Sequence, residues 1–179
     1  METRRILILG ASGAGKSTLA RQLGERLAVP VTHLDSLFWQ PGWVGDHPDF
    51  TDKANAAAAG ESWVIEGGYT NEPSFASRLE RADIIVLLDF PGWRCVARII
   101  RRTLHWHGRT RPDMTAGCIE RFDREFLLYV WRWRRDIRAR TTQRITDTGR
   151  TPLILQTPRE VASFLARFPP TGQPSLAPA

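Results

Sequence analysis

Residues 10–18 read Gly-Ala-Ser-Gly-Ala-Gly-Lys-Ser-Thr, and this stretch decides the fold. It matches the pattern G-x-x-x-x-G-K-[ST], whose last three defined positions are Gly15, Lys16 and Ser17. Glycines let the backbone wrap closely around an anion, so that successive N–H groups point towards it. A helix that follows adds unsatisfied N–H donors and the positive end of its dipole. The stretch therefore predicts a loop that binds phosphate groups.

The residues on both sides of this stretch support the prediction. Residues 5–9 form a short apolar run that favours a buried strand, and Leu19 and Leu23 follow at helical spacing. A strand, a glycine loop and a helix occur in the order that the motif requires, so a chance glycine-rich turn is the weaker alternative. In such a loop Lys16 reaches the β- and γ-phosphates of a nucleotide, and the Ser17 hydroxyl ligates Mg²⁺. The expected nucleotide contacts are Gly10, Ala11, Ser12, Gly13, Ala14, Gly15, Lys16, Ser17 and Thr18.

Composition limits the class of protein. With 179 residues the chain is long enough for one domain with a substantial core. We expect a cytoplasmic protein without membrane attachment, because no apolar run is long enough to span a bilayer and no signal peptide is recognised. Cys95 and Cys118 are the only cysteines, which fits a reducing compartment. The net charge of +6 favours anionic partners such as nucleotides, although an arginine-rich solvated surface would carry the same charge.

Short apolar runs alternate with helical patterns along the chain. Such alternation predicts a parallel sheet with helices on both faces. We therefore expect a three-layer α/β fold with five parallel strands, formed by a single domain over residues 1–168. The Pro-rich residues 169–179 are expected to be a disordered tail. The other predicted strands are 31–34, 63–66, 84–89 and 153–156, and the other predicted helices are 51–60, 93–106, 119–140 and 158–168.

Acidic residues stand at the ends of three predicted strands, and ligands of a parallel sheet bind beyond such ends. Asp35 follows the second strand, Glu66 ends the third and Asp89 ends the fourth. Asp89 stands where nucleotide-binding proteins commonly place an acid for Mg²⁺. The predicted metal ligands are therefore Ser17 and Asp89.

The residues after Asp89 bear on the type of reaction. They are Phe90 and Pro91, whereas motor ATPases commonly carry a glutamate there to activate water. The guanine-reading segment Asn-Lys-x-Asp of a GTPase switch is absent, and the two lysines of the chain, Lys16 and Lys53, cannot supply it. Transfer of a phosphoryl group to an acceptor is therefore the expected reaction.

The expected acceptor site lies beside the phosphate-binding loop. We expect Asp35 to orient or deprotonate an acceptor hydroxyl, although an aspartate here could equally cap a helix or form a turn. Phe38 and Trp39 could stack on a planar acceptor, or they could cover the hydrophobic core. Glu66 is expected to help with the acceptor or with the metal. The expected acceptor contacts are Asp35, Phe38, Trp39, Glu66, Gly67, Gly68 and Tyr69.

Residues 105–120 are expected to form a lid over the site. A kinase must exclude water from the transferring phosphoryl group, commonly with a closing segment that carries positive charge. An arginine-rich helical segment leads into residues 105–120, and arginine suits the spread charge of a phosphoryl group. For any single arginine, an ordinary basic helix face is the alternative interpretation.

The chain also carries stretches that resemble a known group of proteins. It resembles the nucleoside-monophosphate-kinase group of P-loop proteins, of which adenylate kinase is the best-known member. More narrowly, it resembles the adenylate-kinase-related "DNA topology modulation" proteins. The likeness covers nearly the whole chain, to about Phe168. It rests on the stretches HLDSLFWQPGW (33–43), WVIEGGY (63–69), RPDMTAGCIERFDREF (111–126) and VWRW (130–133).

This resemblance implies a P-loop NTPase fold with a small helical lid and an ATP- and Mg²⁺-dependent phosphotransferase activity. Arg98 and Arg102 match the spacing of two lid arginines in adenylate kinase, and Arg111 and Arg121 are the equivalents of its second pair. In adenylate kinase an arginine after the third strand grips the acceptor phosphate. The corresponding residues 66–71 contain no arginine, which argues against AMP as the acceptor, and Arg78 is the candidate replacement for that arginine. The expected catalytic residues are Lys16, Asp35, Arg98, Arg102, Arg111 and Arg121.

We therefore expect an ATP-dependent kinase, monomeric or weakly homodimeric, that uses ATP and Mg²⁺. Its acceptor is a nucleoside monophosphate or a small metabolite. A hypothesis from another class is a nucleic-acid-binding regulator of DNA topology or expression that retains the P-loop as an ATP sensor. ATP consumption that depends on a small acceptor would favour the kinase, and DNA binding with a steep salt dependence would favour the regulator.

Overall fold

A five-stranded parallel sheet forms the centre of the protein, whose computed structural model describes residues 4–45 and 47–169. Its strands are β1 (Arg5–Gly10), β2 (Val31–His33), β3 (Trp63–Glu66), β4 (Ile84–Leu88) and β5 (Leu153–Leu155). They lie side by side in the order β2-β3-β1-β4-β5, and every neighbouring pair is parallel. The predicted α/β fold with five parallel strands is therefore confirmed.

Helices cover this sheet. The side chains from Ile6 to Leu9 in the central strand β1 are fully buried. Since successive side chains of a strand point to opposite faces, both faces must be covered. In the described residues the helices are α1 (Lys16–Leu27), α2 (Leu34–Phe38), α3 (Phe50–Ala59), α4 (Ser74–Arg81), α5 (Gly92–Trp106), α6 (Arg124–Asp136), α7 (Arg138–Thr146) and α8 (Pro158–Ala166).

The helix predicted over residues 119–140 is the main local error. The Asp123 side chain accepts a hydrogen bond from the Phe126 N–H at 2.9 Å and starts α6 there. Ile137, with φ −117°, separates α6 from α7. Residues 107–123, which include most of the expected lid, contain no helix. The helices nearest to the expected lid are α5, which ends before these residues, and α6, which follows them.

Residues 107–123 form an ordered loop, which we call the lid segment. The Gly108 N–H donates to the Glu120 carbonyl at 3.1 Å, and the Glu120 N–H donates to the Arg109 carbonyl at 3.0 Å. With the antiparallel bridge between Thr110 and Ile119, these bonds join the two arms of the segment like a short hairpin stem. The lid segment therefore has a defined backbone although it lacks regular secondary structure.

Two further expectations concern the C-terminal tail and membrane-spanning helices. The tail predicted at residues 169–179 lies outside the described residues except for Pro169. Within residues 4–45 and 47–169, no helix combines the length and the apolar character needed to cross a membrane.

Candidate active site

The predicted phosphate-binding loop joins β1 to α1 and is packed tightly against the sheet. Gly13 has φ +78°, and a Cβ added to it would lie 2.4 Å from the Cys95 carbonyl oxygen in α5. A Cβ on Gly10 would lie 2.5 Å from the Leu88 carbonyl oxygen. Only glycine fits these two positions, because both the backbone conformation and the available space exclude a side chain. The sequence pattern therefore reflects real contacts of the loop with β4 and α5.

Lys16 is the first residue of α1 and lines the mouth of the loop. Its Nζ donates a hydrogen bond to the Ala11 carbonyl at 3.2 Å, so the side chain lies across the loop. The N-terminal N–H groups of α1 and this ammonium group form a ready site for an anion. Thr18, two residues further along α1, is exposed.

Glu66 lies directly beside this loop, at the end of β3. The Ser17 hydroxyl donates a hydrogen bond to Glu66 Oε1 at 2.9 Å, and His33 Nδ1 lies 2.8 Å from the same oxygen. Burial is the largest single effect on the pKa of Glu66 and raises it, but the hydrogen bond with His33, the charge of Lys16 and the hydrogen bond from Ser17 together outweigh burial and lower this pKa. The hydrogen bond with Glu66 raises the pKa of His33. The carboxylate is therefore held charged next to the phosphate-binding loop.

Asp89, the predicted metal ligand of β4, is engaged elsewhere. Its side chain is fully buried, and Arg134 binds it through two hydrogen bonds of 3.0 and 3.2 Å. Arg138 Nε lies 2.9 Å from Asp89 Oδ2, and the Gln156 amide donates to the same oxygen at 2.8 Å. The predicted pairing of Ser17 with Asp89 as metal ligands is therefore corrected: Ser17 contacts Glu66, and two arginines occupy Asp89.

We expect Asp89→Asn to destabilise the protein without changing its metal dependence. The substitution leaves two arginines without their carboxylate, but both are partly exposed and can regain water, so we expect a loss of about 2 kcal/mol in the free energy of unfolding. Urea unfolding measures this loss. Asp136→Asn, which breaks an exposed pair with Arg135, is the matched control and should leave stability unchanged. An unchanged urea midpoint for Asp89→Asn would contradict the structural role.

Asp35 meets Tyr69 on the other side of the loop. The structure places Asp35 in the first turn of the short helix α2 and not at the end of a strand. The Tyr69 hydroxyl donates a hydrogen bond to Asp35 Oδ1 at 2.7 Å. Burial, followed by the charge of Asp35, raises the pKa of Tyr69, so this phenol stays protonated and remains a donor. The pair holds the Asp35 carboxylate in a fixed orientation.

A cavity of about 680 Å³ connects the phosphate-binding loop with the Asp35–Tyr69 pair, and Glu66, predicted as an acceptor contact, is not among its lining residues. Lys16 and Gly10 of the phosphate-binding loop line one part of it, and Asp35, Trp39 and Tyr69 line another. Phe38, predicted as an acceptor contact, packs instead against Phe50, Trp39 and Tyr69, with its ring centroid 5.2, 5.2 and 4.6 Å from theirs.

The two glycines predicted to contact the acceptor differ in their surroundings. Gly67 has φ +135° and packs against Leu34, where a Cβ would lie 2.8 Å from the Leu34 Cβ. Gly68 lines the cavity and has no atom within 4 Å of an added Cβ. Only Gly68 is therefore placed to contact a molecule in the cavity.

The lid segment docks on α2 and on the loop that follows it. The Thr115 hydroxyl donates to the Ser36 carbonyl at 2.9 Å, and Cys118 Sγ donates to the Gln40 carbonyl at 3.2 Å. Two further bonds run in the opposite direction: the Gly42 N–H donates to the Gly117 carbonyl at 3.0 Å, and the Trp43 indole N–H donates to the Ile119 carbonyl at 2.7 Å. We call residues 34–45 the acceptor loop. These four bonds join the lid segment to the acceptor side of the cavity.

The four predicted arginines occupy different environments. Arg98 Nη1 donates to the Ala14 carbonyl of the phosphate-binding loop at 3.0 Å. Arg102 and Arg111 line the cavity, and both form ion pairs with Glu120. Arg121 is exposed at the cavity wall. Arg98 is therefore the predicted arginine that directly contacts the phosphate-binding loop.

Arg78, the candidate replacement for an acceptor-gripping arginine, has a structural role. It is fully buried, and its guanidinium donates to the carbonyl oxygens of Ser74 at 3.1 Å and Tyr69 at 3.0 Å. Burial lowers the pKa of Arg78 to about 10. It therefore fixes the backbone that carries Tyr69 and does not face the cavity.

Sequence reasoning missed several residues of the site. Glu120 precedes Arg121 in the sequence, and no local pattern distinguishes it from the nearby acids Asp123 and Glu125. Arg140 and Arg144, one helical turn apart on α7, also line the cavity. Arg144 donates a hydrogen bond to the Thr70 carbonyl, and Arg140 donates to the Asp136 carbonyl at 2.9 Å. In the described residues no cluster of His, Cys, Asp and Glu side chains has the arrangement of a metal site.

Comparison with known proteins identifies the fold. No family model matches the chain, and no curated protein matches it. Among solved structures, shikimate kinase from Bacteroides thetaiotaomicron is similar, with 19% sequence identity, a TM-score of 0.58, and coverage of 93% of this chain and 96% of that one. Shikimate kinase from Acinetobacter baumannii in complex with shikimate has 15% identity, a TM-score of 0.55, and coverage of 92% and 90%.

A third similar structure is a gluconokinase from Sinorhizobium meliloti 1021. It shares 18% sequence identity, with a TM-score of 0.50 and coverage of 92% of this chain and 93% of that one. At these identities the likeness shows a common fold. The chain therefore has the three-layer α/β architecture of P-loop kinases, and the narrower likeness to "DNA topology modulation" proteins stays a prediction.

Proposed function

We propose that this protein is an ATP-dependent kinase that transfers a phosphoryl group to a hydroxyl group of a small acceptor. One observation carries the proposal: a single cavity is lined both by Lys16 of the phosphate-binding loop and by the Asp35–Tyr69 pair. A kinase needs the donor phosphate and the acceptor hydroxyl in one enclosed space, because proximity and exclusion of water favour transfer over hydrolysis. The fold shared with shikimate kinase and gluconokinase supports a small-metabolite acceptor.

The donor end is the phosphate-binding loop. Its N–H groups and Lys16 would bind the β- and γ-phosphates of ATP. Arg98 would add a second positive charge, because its guanidinium donates to the Ala14 carbonyl and therefore lies beside the loop. Burial, followed by the like charge of Arg94, lowers the pKa of Arg98. Both effects disfavour the charged guanidinium, so an anion bound beside it would stabilise that charge.

The residues beside Lys16 fit a magnesium ion. Ser17 Oγ and the buried Glu66 carboxylate lie 2.9 Å apart, and hard oxygen groups of this kind are the ligands that Mg²⁺ prefers. Ser17 would bind the ion directly, and Glu66 would bind it directly or through water. The ion would neutralise charge on the phosphates of ATP. Glu66 and His33 would keep that oxygen set oriented.

The acceptor end is the Asp35–Tyr69 pair. A hydroxyl placed beside Asp35 would donate its hydrogen bond to the carboxylate, which would orient its oxygen towards the phosphoryl group and accept its proton during transfer. The Tyr69 hydroxyl holds Asp35 in position. Trp39 and Tyr69 also line the cavity and would contact the body of the acceptor.

An acceptor screen tests the proposed function. Purified protein, ATP and Mg²⁺ would be incubated with nucleosides, nucleoside monophosphates and small hydroxylated metabolites, and ADP release would be followed by a coupled assay. We expect at least one acceptor to stimulate ADP release strongly. ATP turnover that no acceptor stimulates, combined with DNA binding of steep salt dependence, would contradict the kinase and favour the regulator.

We expect removal of divalent metal to stop turnover. EDTA should abolish acceptor-dependent ADP release, and added Mg²⁺ should restore it, because uncompensated phosphate charge opposes transfer. Glu66→Gln should raise the Mg²⁺ concentration needed for half-maximal activity. Asp89→Asn is the matched carboxylate control, since both Asp89 oxygens are bound by other side chains, and its Mg²⁺ requirement should equal that of the wild type. Full activity in EDTA would remove metal from the mechanism.

We expect Arg98→Ala to lower kcat by about a hundredfold, the order observed when one transition-state charge contact is lost. Arg98 is the predicted lid arginine that contacts the phosphate-binding loop, and its charge should act mainly on the transferring group. Steady-state kinetics with varied ATP would show a smaller change in KM than in kcat. Arg101→Ala, which removes an exposed arginine from the same helix, should behave like the wild type. Equal kcat values for the two variants would exclude this role.

A further inference from the structure

Four charged side chains meet where the lid segment joins α5. Arg102 Nε and Arg111 Nε lie 3.1 and 2.6 Å from the same carboxylate oxygen, Oε1 of Glu120. Arg111 Nη1 also lies 3.1 Å from Asp113 Oδ2. Thr103 donates a hydrogen bond of 3.3 Å to the second oxygen of Glu120. Two positive and two negative groups therefore form one cluster, whose formal charges cancel.

The charges of this cluster interact strongly because two of its side chains are buried. The Glu120 side chain is 4% exposed and that of Arg111 is 10% exposed, so water screens their charges weakly. Backbone hydrogen bonds to Gly108 and Arg109 fix Glu120 in the stem of the lid segment. Glu120 is therefore held in a fixed position beside the two arginines and is not a flexible surface carboxylate.

The cluster forms part of the cavity wall. Arg102, Arg111 and Glu120 line the same cavity as Asp35. The other cavity-lining arginines on α7 donate hydrogen bonds to backbone carbonyls, of Thr70 and of Asp136. Glu120 is thus the carboxylate that both arginines on the lid side share, whereas Asp113 pairs with Arg111.

We propose that Glu120 sets the charge selectivity of the acceptor site, so that the site favours an uncharged hydroxyl-bearing acceptor over an anionic analogue. Without Glu120 the cluster would carry a net positive charge, and its two arginines would bind an acceptor carboxylate or phosphate strongly. With Glu120 present, such an anion would have to compete with a carboxylate already paired to both arginines, and it would also be repelled by Asp35. The proposal rests on the proposed function, and it distinguishes the acceptor of this protein from carboxylated acceptors such as shikimate.

A series of variants with stepwise local charge tests the proposal. The formal charge of the cluster is zero in the wild type, +1 in Glu120→Gln, zero again in Glu120→Gln/Arg111→Gln, and −1 in Arg111→Gln. Each would be assayed with matched acceptors that differ by one anionic group: sorbitol and gluconate, and a nucleoside and its monophosphate. The measured quantity is the ratio of kcat/KM for the anionic and the neutral member of each pair.

We expect Glu120→Gln to shift this ratio towards the anionic acceptor by about tenfold or more, because one buried charge near a ligand is worth at least that factor. The double variant should return to the wild-type ratio, and Arg111→Gln should shift it the other way. If Glu120→Gln does not fold, the double variant and Arg111→Gln differ by the same single charge and provide the same comparison. A ratio that does not follow local charge would overturn the proposal, as would a change confined to KM for ATP.

A binding measurement separates this proposal from the proposed function. Inorganic phosphate would be titrated into protein already saturated with ADP and Mg²⁺, and its affinity would be measured by calorimetry. We expect Glu120→Gln to bind phosphate more tightly than the wild type and the double variant. Phosphate affinity that follows the series while no acceptor is phosphorylated would support the role of Glu120 and contradict the kinase. Equal phosphate affinity in all four proteins would overturn the role of Glu120.

Discussion

Lys16→Ala is expected to lower phosphoryl transfer by about 10² to 10³-fold, the range observed when one preorganised charge contact to the reacting group is removed. Lys16 lies at the mouth of the phosphate-binding loop, and its ammonium contacts the Ala11 carbonyl at 3.2 Å, so no structural contact of high energy is lost. The free energy of unfolding should therefore stay near that of the wild type. Acceptor-dependent ADP release and urea unfolding measure the two quantities.

Lys53→Ala is the matched control for this prediction. Lys53 is the other lysine of the chain, and it forms an exposed ion pair with Asp49, the residue that precedes α3. We expect the Lys53 variant to retain full activity. Near-wild-type turnover of Lys16→Ala would show that the loop is not the catalytic phosphate site.

Asp35→Asn is expected to lower kcat/KM for the acceptor by about 10² to 10⁴-fold, the range typical of a lost general base. The amide keeps the shape of the side chain but accepts a proton poorly, so KM for ATP should change little. Initial rates at varied acceptor and varied ATP separate the two effects. An equal loss in both would instead assign Asp35 to nucleotide binding or to structure.

Tyr69→Phe is the comparison that separates chemistry from orientation. It removes the hydroxyl that holds Asp35 at 2.7 Å but leaves the carboxylate in place. We expect a smaller loss than for Asp35→Asn, of about tenfold, the value of one hydrogen bond to a charged group. If Tyr69→Phe were as damaging as Asp35→Asn, the phenol itself would have to contact the reacting groups.

The strands of this fold were predictable because each is a short apolar run that ends in polar residues. Trp63–Glu66 was predicted with the observed bounds, and the others differ by one residue at an end. Helix bounds were predicted less well where the helical spacing of apolar residues continues past the point at which the helix itself begins or ends. The side chains of Phe122, Phe126 and Tyr129 keep a helical spacing across Asp123, yet Asp123 caps the helix and excludes the preceding residues from it.

The site was predictable as a group of residues but not in its pairings. Glu66 and Asp89 end the two strands beside β1, and the sequence cannot tell which carboxylate stays near the phosphate-binding loop. The choice depends on Arg134 and Arg138, which lie 45 or more residues further along the chain and reach Asp89 only in the folded protein. Interactions between distant segments decide such pairings, and local patterns do not encode them.

The docking of the lid segment on the acceptor loop has a consequence for the rate at which ligands exchange. Four hydrogen bonds join the two segments, and at roughly 1 kcal/mol each they would leave on the order of one molecule in a thousand with the segments apart. Any ligand whose passage requires the separated form therefore waits for a rare state. Its observed association rate is the intrinsic rate multiplied by that small population, whatever the speed of the chemical step.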